Sequence, residues 1–257
     1  MARMPLLAGN WKMHKDHLEA IQLVQQISYH LDEQDYDRSE IVVIPPFTAL
    51  RSIQTLIEGD RLAISLGAQD CYHEESGPFT GAISPVMLAK LAVRYVICGH
   101  SERRHIFGDD DDAVNRKVRA VLAHGMRPIL CVGETDEERE QGQAEEVVAR
   151  HVKRGLAGVD GDRADDVVIA YEPVWAIGTG KTATPSDADE MCGFTRSQVA
   201  DVLGDDAGAT IRVQYGGSVK PGNVADLMAQ PEIDGALVGG ASLQADDFAA
   251  ICRYHRL

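Results

Sequence analysis

No apolar run in this 257-residue chain approaches the ~20 residues that a membrane-spanning helix needs. The first residues, Met1-Ala2-Arg3, lead directly to a short apolar stretch at 6–8. No apolar segment with a small-residue cleavage site stands there, so a secretory leader is not expected. Cysteine is scarce. The five present (Cys71, Cys98, Cys131, Cys192, Cys252) are an odd number without paired spacing. That argues against a disulfide framework or a metal knuckle and reads as reduced thiols in a cytoplasmic protein. Positive charge is the other shortage, with 25 Lys and Arg against 40 Asp and Glu and a net charge of -15. Nucleic acid and anionic membranes are therefore poor candidates for partners. The same shortage sets a condition on any anionic small ligand: the overall field repels it, so its site must concentrate positive potential locally.

What the chain does contain is alternation. Short apolar or β-branched runs at 6–8, 41–44, 63–68, 95–98, 128–132, 167–170, 211–214 and 236–238 read as strands. Helical stretches separate them at 16–31, 47–58, 85–91, 110–124, 136–156, 186–203, 220–228 and 245–253. Thr135 with Glu138 has capping-box spacing, and Thr184-Pro185 puts proline at a first helical position. Val147, Val148, His151 and Val152 suit one buried stripe. The acidic run 109–112 reads as a helix N-terminus rather than a metal loop, because calcium-loop spacing is lacking. Eight strands alternating with eight helices, with no linker or low-complexity tract, predict a single (β/α)8 barrel domain over residues 1–257. The rival, an open doubly wound sheet, would carry a glycine fingerprint after its first strand; Gly9-Asn10-Trp11-Lys12 does not fit one.

The stretch from Ala170 to Thr182 organises the rest. A strand runs into Glu172, Pro173 removes a backbone donor, and small residues follow up to Gly180. This reads as a hinged loop, stiff at 173–175, over a carboxylate at a strand end, an arrangement suited to a general base. The ordinary alternative is a solvated loop acid.

In a barrel, residues just past the strand ends converge on one face. Past the first strand come Asn10, a turn residue or a ligand-orienting amide, and Lys12, a surface lysine or the positive charge the site requires. Past the fourth comes His100, where a short helix could begin with Ser101 to cap it. The positive helix end would disfavour imidazolium, leaving a neutral donor. Glu102 reads as an ion-pair partner for Lys12 or for the nearby arginines. Cys131, past the fifth strand, reads as space filling. Past the seventh and eighth strands come Gly216-Gly217-Ser218 and Gly239-Gly240, each leading to a helix N-terminus. There backbone amides can cradle a phosphate without formal charge.

These motifs carry a resemblance. Residues 8–13 (AGNWKM), 99–104 (GHSERR), 171–181 (YEPVWAIGTGK), 215–219 (YGGSV) and 235–243 (GALVGGASL) come in the order found in the triosephosphate isomerase family. The chain resembles that family over essentially its full length. The resemblance implies interconversion of dihydroxyacetone phosphate and glyceraldehyde 3-phosphate through an enediol(ate), in glycolysis and gluconeogenesis, with no metal or organic cofactor. It matches Glu172 to the base, His100 to the neutral electrophile, Lys12 to the lysine that stabilises developing negative charge and binds substrate, and Asn10 to the catalytic and substrate-binding residue beside it. It matches Gly178, Ser218, Gly239 and Gly240 to the phosphate cradle, and 173–183 to a closing lid. The segment 71–81, with Thr80, resembles a projecting loop that enters a second subunit, which implies a homodimer. The alternative from a different class is a barrel retired from catalysis and kept for phosphate binding or as a scaffold.

Overall fold

The structure, a computed structural model, describes residues 3–176 and 183–257. Eight parallel strands close on themselves in sequence order: β1 Leu6–Asn10, β2 Glu40–Ile44, β3 Ser65–Ala68, β4 Tyr95–Cys98, β5 Arg127–Val132, β6 Val168–Tyr171, β7 Arg212–Tyr215 and β8 Gly235–Val238. Closure comes from β1 pairing with both β2 and β8 (Leu7 opposite Ile41 on one side and Ala236 on the other). Every strand expected from the sequence is present.

The period of two sorts the strand side chains into two layers. Leu6, Ala8, Val42, Ile44, Ile97, Ile129, Cys131, Val168, Ala170 and Leu237 fill the barrel interior. Their neighbours Leu7, Ile41, Val43, Val96, Leu130 and Ile169 face outward and are covered by helices. Both faces are buried, which is why the strands read as continuous apolar runs rather than as alternating ones. At the N-terminal end of the barrel the interior is polar. Glu40 accepts from the Tyr95 hydroxyl at 2.5 Å and from Arg212 at 3.0 Å, so the buried charges there are paired.

The helices differ from expectation in four places, one being the stretch 220–228, of which only Val224–Met228 is α-helical. The stretch 136–156 is two helices, Asp136–Glu140 and Ala144–Gly155. Gly142 breaks it at φ 72°, a left-handed conformation that glycine adopts without strain. Two six-residue helices, Glu33–Arg38 and Asp205–Thr210, were not anticipated, since each is too short to show a repeating apolar stripe. The capping box at Thr135 forms as expected and Pro185 takes the first helical position as expected, while Thr184 adds a capping box with Asp187 that was not anticipated. The buried stripe of Val147, Val148, His151 and Val152 also forms as expected. The acidic run 109–112 is spent locally: Asp110 caps helix Asp111–Ala123, Asp109 pairs with Arg103 and Lys117, and Asp111 pairs with Arg104.

Candidate active site

A cleft of about 760 Å³ opens at the C-terminal ends of the strands. Asn10, Lys12, His100, Glu172, Ser218, Gly239 and Gly240 all line it. Residues separated by up to 230 positions are brought together because each follows a strand of the same closed barrel. Gly178 lies outside the described residues, as does the stretch 177–182 of the expected lid.

Glu172 is 2% exposed, which removes the reading of a solvated loop acid. Its Oε2 accepts the Ser101 amide at 2.9 Å, and its Oε1 lies 3.1 Å from His100 Nε2. The backbone around it is packed against glycine. A Cβ on Gly133 would stand 1.8 Å from the Glu172 carbonyl oxygen, and one on Gly216 would stand 2.9 Å from Glu172 Cγ. Neither strand end could approach Glu172 so closely with a larger residue. Beneath it, the Cys131 thiol is held well above its usual pKa, by burial first and then by the adjacent Glu172 charge. That leaves Cys131 a protonated space filler.

His100 itself caps the helix Ser101–His105. Its Nδ1 accepts the Glu102 amide at 3.2 Å, so the expectation that Ser101 would do this is corrected. Ser101 instead turns its amide to Glu172. The correction matters chemically. A backbone N–H can only donate, so Nδ1 is the acceptor and the ring proton sits on Nε2, facing the Glu172 carboxylate.

Lys12 adopts φ 51°, unusual for a residue with a Cβ. Two side chains hold it there. Asn10, at the end of β1, accepts the Lys12 amide on Oδ1 at 3.1 Å, and Gln69 donates from Nε2 to the Lys12 carbonyl at 2.7 Å. The ammonium pairs with Glu102 Oε1 at 2.7 Å, the partner expected for it. In the sequence, Gln69 marks only the start of the projecting segment and shows no role at Lys12. Its reach to Lys12 crosses 57 positions and has no local signature.

Glu134 was visible after β5 but gave no hint of its work. It is fully buried, and four contacts converge on it. The Tyr171 hydroxyl donates to both of its oxygens, at 3.1 and 3.2 Å, and Trp175 Nε1 and Arg139 donate to Oε1 at 2.9 and 3.0 Å. The Arg139 guanidinium also lies 4.7 Å from the Trp175 ring centroid. The stiff entry expected at 173–175 thus owes its stiffness partly to a clasp on the neighbouring strand end. It is tightened by a 3-10 turn over Val174–Ala176.

The two glycine pairs follow β7 and β8 as expected, but neither leads straight into an α-helix, since the next helices begin at Val224 and Ala245. Gly239 precedes a 3-10 turn, Gly240–Leu243, whose Ser242 bonds back to the Gly239 carbonyl through both N–H and Oγ at 2.8 and 2.7 Å. Gly217 lies over the Tyr215 ring, where a Cβ would meet the hydroxyl at 2.2 Å. Gly240 has open space around it. The cleft thus joins a carboxylate, a neutral imidazole and an ammonium to the glycine backbone at Gly239 and Gly240.

Comparison with known proteins agrees with this geometry. The family model described as triosephosphate isomerase matches residues 5–255. The chain is 53% identical to a triosephosphate isomerase of Streptomyces avermitilis over 98% of both chains. It is 55% identical to one of Chloroflexus aurantiacus over 98% of this chain and 99% of that one. A crystal structure of triosephosphate isomerase from Bartonella henselae superposes with a TM-score of 0.88 at 36% identity, covering 99% of this chain and 100% of the other. With the fold, the full-length match and the order of motifs in agreement, the chain belongs to the triosephosphate isomerase family.

Proposed function

We propose that the chain interconverts dihydroxyacetone phosphate and D-glyceraldehyde 3-phosphate, with Glu172 as the base that moves a proton between the two carbons. The observation that carries this reading is the buried contact between Glu172 and a His100 whose proton is on Nε2. Removing a proton next to a carbonyl needs a base on carbon and a donor on oxygen at the same time, and this pair supplies both. In the free enzyme each Glu172 oxygen is engaged, by Ser101 and by His100. Substrate takes over the His100 donor and the carboxylate turns to the carbon. His100 then donates to the carbonyl oxygen and to the enediolate that forms from it. Lys12 adds positive charge at that oxygen and is oriented by Asn10. The amides of Gly178, Ser218, Gly239 and Gly240 receive the phosphate. This meets the condition set by the net charge of -15, because most of the attraction comes from oriented N–H groups and one ammonium. Closure of 173–183 over the cleft excludes water and retains the enediolate. The residues named supply the whole proton transfer, so the reading calls for no metal or organic cofactor.

We also propose a homodimer through the segment 71–81. Residues 74–82 are exposed, among them Phe79 and Thr80, and Met13 beside the site is 93% exposed. Gln69 at the base of that segment holds the Lys12 carbonyl, so a partner gripping the segment would steady Lys12 as well. Membership of this family supports a cytoplasmic enzyme of glycolysis and gluconeogenesis. No helix among the described residues is long and apolar enough to cross a membrane. Lys12, His100 and Glu172 converge with their hydrogen-bond partners in place, which favours an active isomerase over a retired scaffold. A coupled assay for conversion of glyceraldehyde 3-phosphate tests the reading. Turnover well above the uncatalysed rate is expected, and an inactive folded protein would sink it.

A further inference from the structure

The loop after β7 is braced by an asparagine that does not do what its position invites. Asn223 stands at the N-cap of the helix Val224–Met228, where asparagine ordinarily turns its side-chain oxygen onto the first amides of its own helix. Here it makes no such bond. Its Oδ1 accepts the Lys220 amide at 2.8 Å, and its Nδ2 donates to the Ser218 carbonyl at 3.0 Å. The Lys220 carbonyl in turn accepts the amides of Asn223 and Val224, both at 3.1 Å. One side-chain amide therefore ties down two residues of the loop that walls the cleft from Gly216 to Pro221.

The consequence follows from the geometry of the peptide bond. A peptide is planar and trans, so holding its carbonyl fixes the whole unit. With the Ser218 oxygen on Asn223, the peptide between Ser218 and Val219 cannot swing that oxygen into the cleft. The unit so held carries the Val219 N–H and adjoins the Ser218 amide assigned to the cradle, and its oxygen is kept off an anion bound there. A glycine-rich turn has little stiffness of its own, since Gly216 and Gly217 are permissive, and the brace comes from outside it.

We propose that Asn223 is a positioning residue for the phosphate cradle, acting on substrate affinity through Ser218 without touching substrate. This rests on the phosphate-cradle reading given above. The two bonds are separable. Asn223→Asp keeps an acceptor for the Lys220 amide but replaces the donor to Ser218 with a carboxylate oxygen, which repels that carbonyl. Asn223→Ala removes both.

The test measures isomerisation kinetics, competitive inhibition by inorganic phosphate, and thermal melting for the wild type and both variants. In each variant the KM and the phosphate inhibition constant should rise together by about five- to twentyfold, the range expected for one or two lost hydrogen bonds. The kcat should stay within about twofold, as expected of a residue that does not act on the reacting carbons. Asn223→Asp should melt close to the wild type and keeps the test open if Asn223→Ala does not fold. Unchanged constants in Asn223→Asp would overturn the proposal. So would a variant that lost only melting temperature and kcat, since that marks a merely structural residue. A wild type that isomerises the substrate but is insensitive to phosphate would remove the cradle reading itself, and this proposal with it.

Discussion

Glu172 and His100 meet across 72 positions of chain with 3.1 Å between Oε1 and Nε2, and each side chain is held by a second bond as well. Ser101 holds the other carboxylate oxygen and Glu102 holds the other ring nitrogen, so both clamps come from the first turn of one five-residue helix. The proposed base and electrophile are aligned by the same element. Shortening the carboxylate arm should therefore be costly. Glu172→Asp withdraws the oxygens by one methylene from both His100 and the reacting carbon. Turnover should fall by about two to three orders of magnitude, with little change in melting temperature. Steady-state kinetics beside a thermal melt checks this, and near-normal activity would show that Glu172 is not the base.

Lys12 is held in a left-handed conformation that costs about 1 kcal/mol or more, and Asn10 and Gln69 are spent on keeping it there. That outlay makes sense if the ammonium must sit at one place in the cleft. Lys12→Ala should weaken binding of a phosphorylated transition-state analogue by about tenfold to a hundredfold, the loss of one or more charge-assisted hydrogen bonds. Calorimetric titration measures it, and unchanged affinity would take Lys12 out of the site.

The Glu134 clasp ties residues 173–175, the entry of the proposed lid, to the end of β5. Glu134→Leu removes the acceptor shared by the Tyr171 hydroxyl, the Trp175 indole N–H and Arg139, at a cost of about 1–3 kcal/mol for the buried Tyr171 hydroxyl that loses it. Urea denaturation should show the loss. Trp11 is fully buried and Trp175 is the other of the two tryptophans, so a shift in emission of the folded variant reports release of Trp175. A variant with wild-type stability and emission would mean that the clasp does not hold the entry.

Acid should destabilise the protein partly through His151. Burial, followed by the nearby Arg104 charge, lowers its pKa to about 3, while an imidazole in the unfolded chain takes up its proton near pH 6.5. Below pH 6.5 the unfolded state binds the proton and the folded state does not. The stability is therefore complete above that value and is lost on acidification towards pH 3, by up to about 1.4 kcal/mol per pH unit. His151→Gln, which keeps an acceptor for the Gly133 amide, should flatten the slope between pH 6.5 and 5. Parallel slopes for variant and wild type in urea titrations would exclude the contribution.

Light scattering should give a mass near twice the 27.9 kDa of one chain at micromolar concentration. Because both copies carry a net charge of -15, raising the salt should favour the dimer over its separated chains. A monomer mass under both conditions would rule out association through the segment 71–81.

Much of this protein was legible along the chain, and the reason is that barrel strands and helices announce themselves locally. Runs such as 128–132 are apolar because both faces of a parallel strand are buried, and Thr135 marks a helix start because the capping bonds span only three residues. Once eight such units are counted, closure places Asn10, Lys12, His100, Glu172, Ser218, Gly239 and Gly240 around one cleft. What stayed out of reach depends on partners far apart in sequence or on a choice between equivalent local bonds. Gly142 ends one helix and begins the approach to another because its φ is 72°, and apolar spacing does not encode φ. His100 rather than Ser101 caps its helix, and Asn223 leaves its own helix uncapped, because each side chain had two possible sets of partners. Glu134 collects donors from Arg139, Tyr171 and Trp175 that no spacing rule connects. The residue types and their order sufficed for the barrel and its chemistry. The direction in which each polar group spends its hydrogen bonds was decided only when the strands closed, because only then did burial remove water as a competing partner.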